Sequence, residues 1–132
     1  MSDFADDGAD SNSTTLLTAD ITERDGVVVV TIIGELDMAS VHTAEPVVAD
    51  AVSRGKPVVI DLSRLSFFSS AGLTVLARLD DRRRHEPLDV RLVADQRVVV
   101  LPLRLTGLQG LFPIHPTLDD AVAAIRQIGR PS

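Results

Sequence analysis

Hydrophobic and polar positions change period several times along this chain, and each change marks an element. Leu16, Leu17 and Ile21 lead into Asp25-Gly26, after which Val27 to Ile33 is almost continuously apolar. Two β-type runs separated by Asp-Gly predict a hairpin, because both residues of that dipeptide accept the left-handed conformation a tight turn demands. Gly34-Glu35-Leu36-Asp37 closes the second strand. From Thr43 to Arg54 the period becomes helical, with Ala44, Val47, Val48, Ala51 and Val52 on one face and Gly55 as the stop. Thr43 is the expected N-cap, which puts Pro46 in the first turn, where its missing N–H costs nothing.

The run Pro57 to Leu62 is short and apolar throughout, as expected of a central strand covered on both faces. A loop is predicted over Ser63 to Ser69, followed by a helix from Ser70 to Arg83 with Leu73, Leu76, Ala77 and Asp80 on one stripe. Val90 to Val93 reads as a strand. Asp95 is placed to cap a helix through Leu105 that ends at Gly107, with a kink or early stop near Pro102. Leu111 to His115 is a weak last strand, and Thr117 caps a final helix carrying Leu118, Ala121, Val122 and Ile125. Alternation of strands and helices after an opening hairpin predicts an α/β domain, with a mixed four- to five-stranded sheet and about four helices.

Composition narrows the class of protein. The chain has 132 residues, 45% hydrophobic and 24% charged, which suits one soluble domain over residues 15–130. Residues 1–14 are polar and acidic and are expected to form a disordered tail. The net charge is −6, and removing the four acids of that tail, Asp3, Asp6, Asp7 and Asp10, leaves −2 on the remainder. So balanced a domain has no broad basic surface, which argues against direct nucleic-acid binding. The one basic run, Arg82-Arg83-Arg84, reads as a solvated helix end that complements the helix dipole. No apolar span is long enough to cross a membrane, and no secretory signal opens the chain, so a cytoplasmic location is expected. Without cysteine, thiolate catalysis and disulfides are excluded.

Nothing in the sequence points to catalysis. Phe68-Ser69-Ser70-Ala71-Gly72 does not match the G-x-S-x-G elbow of a serine hydrolase. His42, His85 and His115 lack spaced acidic partners and read as surface residues, and the glycines do not form a phosphate cradle. A phospho-receiver domain would need a lysine late in the chain, whereas the only lysine is Lys56. The expectation is a non-enzyme that takes neither cofactor nor metal.

What stands out is Asp61 to Leu73, DLSRLSFFSSAGL, where a buried strand runs through two aromatics into paired serines that open a helix. This stretch resembles the phosphorylation-site signature of the STAS-domain anti-sigma factor antagonists. In that family a strand ending Asp/Asn-Leu leads through an aromatic to Asp-Ser-Ser/Thr-Gly-Leu. Gly34-Glu35-Leu36-Asp37 is similar to the family's Gly-Glu-Leu-Asp element, and Arg104 to Leu108 resembles its segment before the last strand. Together the likenesses cover roughly residues 16 to 128.

The resemblance places the family's phosphoacceptor on Ser70. It implies that an anti-sigma factor with serine kinase activity binds the unmodified protein and is released once Ser70 is phosphorylated, and that a serine phosphatase restores binding. Sigma-factor-dependent transcription would thereby be regulated. Asp37, Phe68, Ser69, Ser70, Ala71 and Gly72 are the implied partner-binding residues, with Phe67 and Leu65 assigned to the core. Ser69 stands where the family has Asp, and Ala71 where it has Ser or Thr; Ser69 is thus an alternative acceptor. These departures also leave open a rival reading, in which the domain is a non-phosphorylated scaffold or regulatory subunit of a signalling or transport assembly.

Overall fold

The computed structural model describes residues 17–128. The expected acidic tail lies outside them. Among the described residues, five strands form one sheet: β1 (Leu17–Arg24), β2 (Val27–Leu36), β3 (Val58–Phe68), β4 (Val90–Val93) and β5 (Ile114–His115), lying side by side in that order. In the same residues four α-helices connect or follow them: α1 (Val41–Val52), α2 (Ser70–Arg83), α3 (Arg97–Thr106) and α4 (Leu118–Ile128), with a 3₁₀ turn at Leu108–Gly110. The pair β1–β2 is antiparallel and every other pairing is parallel. The mixed α/β architecture with four helices and β3 at the centre is therefore as the sequence predicts.

The hairpin turn follows from its two residues. Asp25 and Gly26 have φ of 55° and 80°, the double left-handed geometry of a tight turn whose twist matches its strands, and Arg24 pairs directly with Val27. Strand alternation then sorts the valines. Val28, Val30, Ile32, Val58, Ile60 and Leu92 face a layer made by α1, α2 and α3, while Val27, Val29, Val59 and Val93 face α4 through Ala121, Val122 and Ile125. Thr117 caps α4 as expected, its hydroxyl accepting from Asp120 N at 3.1 Å.

Four local expectations are corrected. The first helix begins at Val41 with Ser40 as N-cap, rather than after Thr43, so Pro46 sits in the second turn and leaves the His42 carbonyl without its helical partner. Helix α3 starts after Gln96, not Asp95, and runs past Pro102 to Thr106, ending at Gly107 with φ 80°. The final strand shrinks to two residues behind the 3₁₀ turn. The largest correction is that no loop occupies Ser63 to Ser69. Strand β3 continues to Phe68 beside β2, through register shifts between Thr31 and Ile33 and between Gly34 and Glu35.

That extension leaves β3 without a neighbour on its other side, because β4 pairs only with Val58 to Asp61. Gln96 supplies the missing donors. Its side-chain amide gives hydrogen bonds to Leu62 O at 2.8 Å and Leu65 O at 3.0 Å, which explains why a residue with a modest intrinsic capping preference stands at this N-cap.

The basic run also does more than decorate a helix end. Arg83 and Arg84 both pair with Asp80, which is buried at 4% exposure, and Arg83 lies 5.6 Å from the centre of the Phe112 ring. Hydrogen bonding from Arg83, reinforced by Arg84, outweighs desolvation and holds the Asp80 carboxyl below the usual carboxylate range. A depressed folded value means the pair's stabilisation is complete above the ordinary Asp pKa and is lost as pH falls through the folded value. Asp80→Asn should cost about 1–3 kcal/mol at pH 7. Urea titrations should show the gap between this variant and the wild type narrowing below about pH 4; a pH-independent gap would refute the assignment.

Candidate functional site

The site is built where the extended β3 hands the chain to α2. Leu36 and Phe68 end β2 and β3 side by side, and Ser69 N donates to Leu36 O at 3.0 Å, so the turn after β3 is tied to the loop after β2. Ser69 is the N-cap of α2. Its backbone is extended, and its hydroxyl accepts from Ala71 N at 3.1 Å. Its carbonyl accepts from Gly72 N and Leu73 N. Ser70 is the first helical residue, exposed, and its carbonyl accepts from the Thr74 hydroxyl.

The two serines therefore divide the labour. Ser69 is half-buried and committed to capping, whereas Ser70 presents its side chain to solvent. Because Ser69 engages the amides of residues 71 to 73, what favours an anion on Ser70 is the helix dipole and exposure rather than a set of free N–H groups. The first turn of α2 carries no acidic side chain.

Beside this turn stands the Asp37 loop. Asp37 Oδ1 accepts from Ala39 N and Ser40 N, both at 3.0 Å, while Ser40 Oγ donates to Glu35 O at 2.7 Å and accepts from Asp37 N at 3.0 Å. The carboxylate folds the loop and remains half-exposed. Met38, at its tip, is 81% exposed.

Of the residues expected at the partner surface, Asp37, Ser69, Ser70 and Ala71 meet at this end of the sheet with at least partial exposure. Phe68 and Gly72 do not. Phe68 is buried against the helix layer, and Phe67, expected in the core, is exposed instead. Leu65 is buried as expected. The exchange of the two phenylalanines has a simple cause: the bulged register leaves Leu65 and Phe68, three residues apart, as the buried positions, so Phe67 turns outward. Gly72 is buried where α2 meets the strand ends. A Cβ there would meet Phe68 Cε1 at 2.5 Å and Leu36 Cδ2 at 2.9 Å, so its absence lets α2 close on the ends of both strands.

Other candidate chemistry does not assemble. Among the described residues no group of three or more metal-ligating side chains forms, and no helix is long and apolar enough to cross a membrane. His42 and His85 are exposed, and His115, half-buried beside Arg91, is pushed toward its neutral form chiefly by desolvation and then by the Arg91 charge.

Comparison with known proteins gives the family and the fold. The family model described as STAS domain matches residues 18–121. An anti-sigma-F factor antagonist of Mycobacterium tuberculosis, RsfA, is 34% identical over 111 residues, covering 82% of this chain and 87% of its own. A second from the same organism, RsfB, is 31% identical, covering 83% and 90%. The crystal structure of an anti-sigma factor antagonist from Mycobacterium paratuberculosis superposes with a TM-score of 0.76 at 36% identity, covering 83% of this chain and 94% of that one.

The division of labour between the serines can be measured. Ser69→Ala should lower stability by about 1 kcal/mol through loss of the cap, and Ser70→Ala should stay within about 0.5 kcal/mol of wild type. Gly72→Ala should destabilise by about 1–3 kcal/mol through overpacking, opposite in sign to the gain of up to about 1 kcal/mol expected of the same change in an open helix. Guanidinium unfolding of the three variants checks all of these together.

Proposed function

The chain belongs to the STAS domain family, and on that premise we propose that it is an anti-sigma factor antagonist whose partner binding is switched by phosphorylation of Ser70. The observation that carries the proposal is the separation of roles at the α2 N-terminus. Ser69 already caps the helix, so the exposed Ser70 hydroxyl is available to a kinase and can be modified without removing a structural hydrogen bond. The same geometry favours Ser70 over Ser69 as the acceptor, since a phosphate on Ser69 would disturb the cap.

The partner in this reading is an anti-sigma factor that is itself a serine kinase, with a serine phosphatase completing the cycle. Its contact surface is the Asp37 loop and the Ser69–Ala71 turn. A phosphoserine adds roughly −1.5 to −2 charges at pH 7. Placed on the first residue of a helix, that charge is tolerated by the domain and opposes whatever acidic or closely packed partner group faced the hydroxyl. Unmodified protein holds the anti-sigma factor and frees the sigma factor. Phosphorylated protein lets it go.

The scaffold alternative draws on Ser69 and Ala71, the two departures from the family signature. Calorimetric titration of the cognate anti-sigma factor separates the readings. Ser70→Ala should retain binding and Ser70→Asp should weaken it at least tenfold; equal affinities would refute the switch. Incubation with ATP and that factor should add phosphate to Ser70, and mass spectrometry finding Ser70 unmodified would favour the scaffold.

A further inference from the structure

Among the described residues, the sheet face opposite α1–α3 is only partly covered. Helix α4 shields Val27, Val29, Val59 and Val93 but leaves the C-terminal ends of β2 and β3 open. On that face stand Ile33, 36% exposed, and Phe67, 47% exposed. Their sequence neighbours Ile32 and Phe68 point into the helix-side core, which sets both side chains on the opposite face. Glu35 is the register partner of Phe67 and Arg64 that of Ile33. Arg64 is exposed, and among the described residues it has no carboxylate partner, whereas Arg24, Arg54, Arg78 and Arg126 all do. An apolar pair with unpaired Arg64 on one side and Glu35 on the other is a surface suited to a segment that brings an apolar anchor and an acid to Arg64.

Such a segment lies within reach. Leu17, the first described residue, pairs with Gly34, directly beside Ile33, so the described chain begins next to this face. The sixteen residues before Leu17 hold Phe4 together with Asp3, Asp6, Asp7 and Asp10 and contain no Lys or Arg. Two strand spacings, ~10 Å, separate β1 from β3. The thirteen residues from Phe4 to Leu17 can span ~40 Å when extended. We propose that the chain's own acidic N-terminal segment docks on the Ile33–Phe67 face, with Phe4 against the apolar pair and its aspartates against Arg64. The occupied face adjoins the Ser70 turn. The proposal stands whether or not Ser70 is a phosphoacceptor.

The absence of cysteine allows a single spin label to be placed in the full chain through Ser2→Cys. Docking predicts loss of the amide signals of Ile33, Arg64 and Phe67 by paramagnetic broadening, with those of Arg82 to Glu86 retained. Phe4→Ser should restore the lost signals, and raising the salt to about 0.5 M, where the Debye length falls to a few ångströms, should restore part of them. Weak broadening spread evenly over the surface would overturn the proposal, as would broadening centred on Arg97 and Arg104. Mixing spin-labelled protein that is not isotope-labelled with isotope-labelled protein lacking the spin label should leave the three signals intact; their loss in that mixture would mean that a second copy, not the same chain, supplies the segment.

Discussion

Everything at the functional end of this molecule depends on β2 and β3 staying paired for longer than the rest of the sheet does. Strand β4 leaves β3 after Asp61, yet β2 accompanies it to Phe68 across two register shifts. Those last pairs place Leu36 against Phe68, and so set the Asp37 loop and the Ser69–Ser70 turn next to each other, joined by the Ser69 N to Leu36 O hydrogen bond. On the other side of β3, Leu62 O and Leu65 O are satisfied by Gln96. A parallel extension of this kind survives when its open backbone groups are matched, and Gln96 matches two of them.

From that geometry the site's properties follow in sequence. Because the strands end together, α2 can close down on them, and it does so through Gly72, where no side chain could fit between Leu36 and Phe68. Because α2 starts immediately, its cap must come from the turn itself, and Ser69 provides it. The hydroxyl left over belongs to Ser70. At the far end of the same helix, Asp80 with Arg83 and Arg84 fixes α2 to the Phe112 region, so the helix is held at both termini.

Much of this was legible in the sequence wherever period and punctuation agreed. Asp25-Gly26 announced its turn, Ser70 to Arg83 announced its helix, and Thr117 announced its cap. The misreadings share a cause. Over Ser63 to Phe68 the register shifts abolish the two-residue period, so a strand looked like a loop and the buried and exposed phenylalanines were interchanged. Asp95 has the better intrinsic capping chemistry, but Gln96 reaches two strand carbonyls that no local pattern reveals. Pro102 and Pro46 are carried inside helices because packing of Val99 and Leu103, and of Ala44 and Val48, outweighs one lost hydrogen bond at each. Arg83 looked solvated because its partner Asp80, also polar, occupies a core-facing position.

The central claim is that capping and switching reside on different serines, so that the switch leaves the fold intact. Amide hydrogen exchange on protein stoichiometrically phosphorylated at Ser70 tests this most directly. Protection across α2 and the ends of β2 and β3 should match that of the unmodified protein, from Leu36 through Leu79. Loss of protection in the first turns of α2 would contradict the account, because it would mean that the phosphate acts by unfolding the helix rather than by presenting charge to a partner.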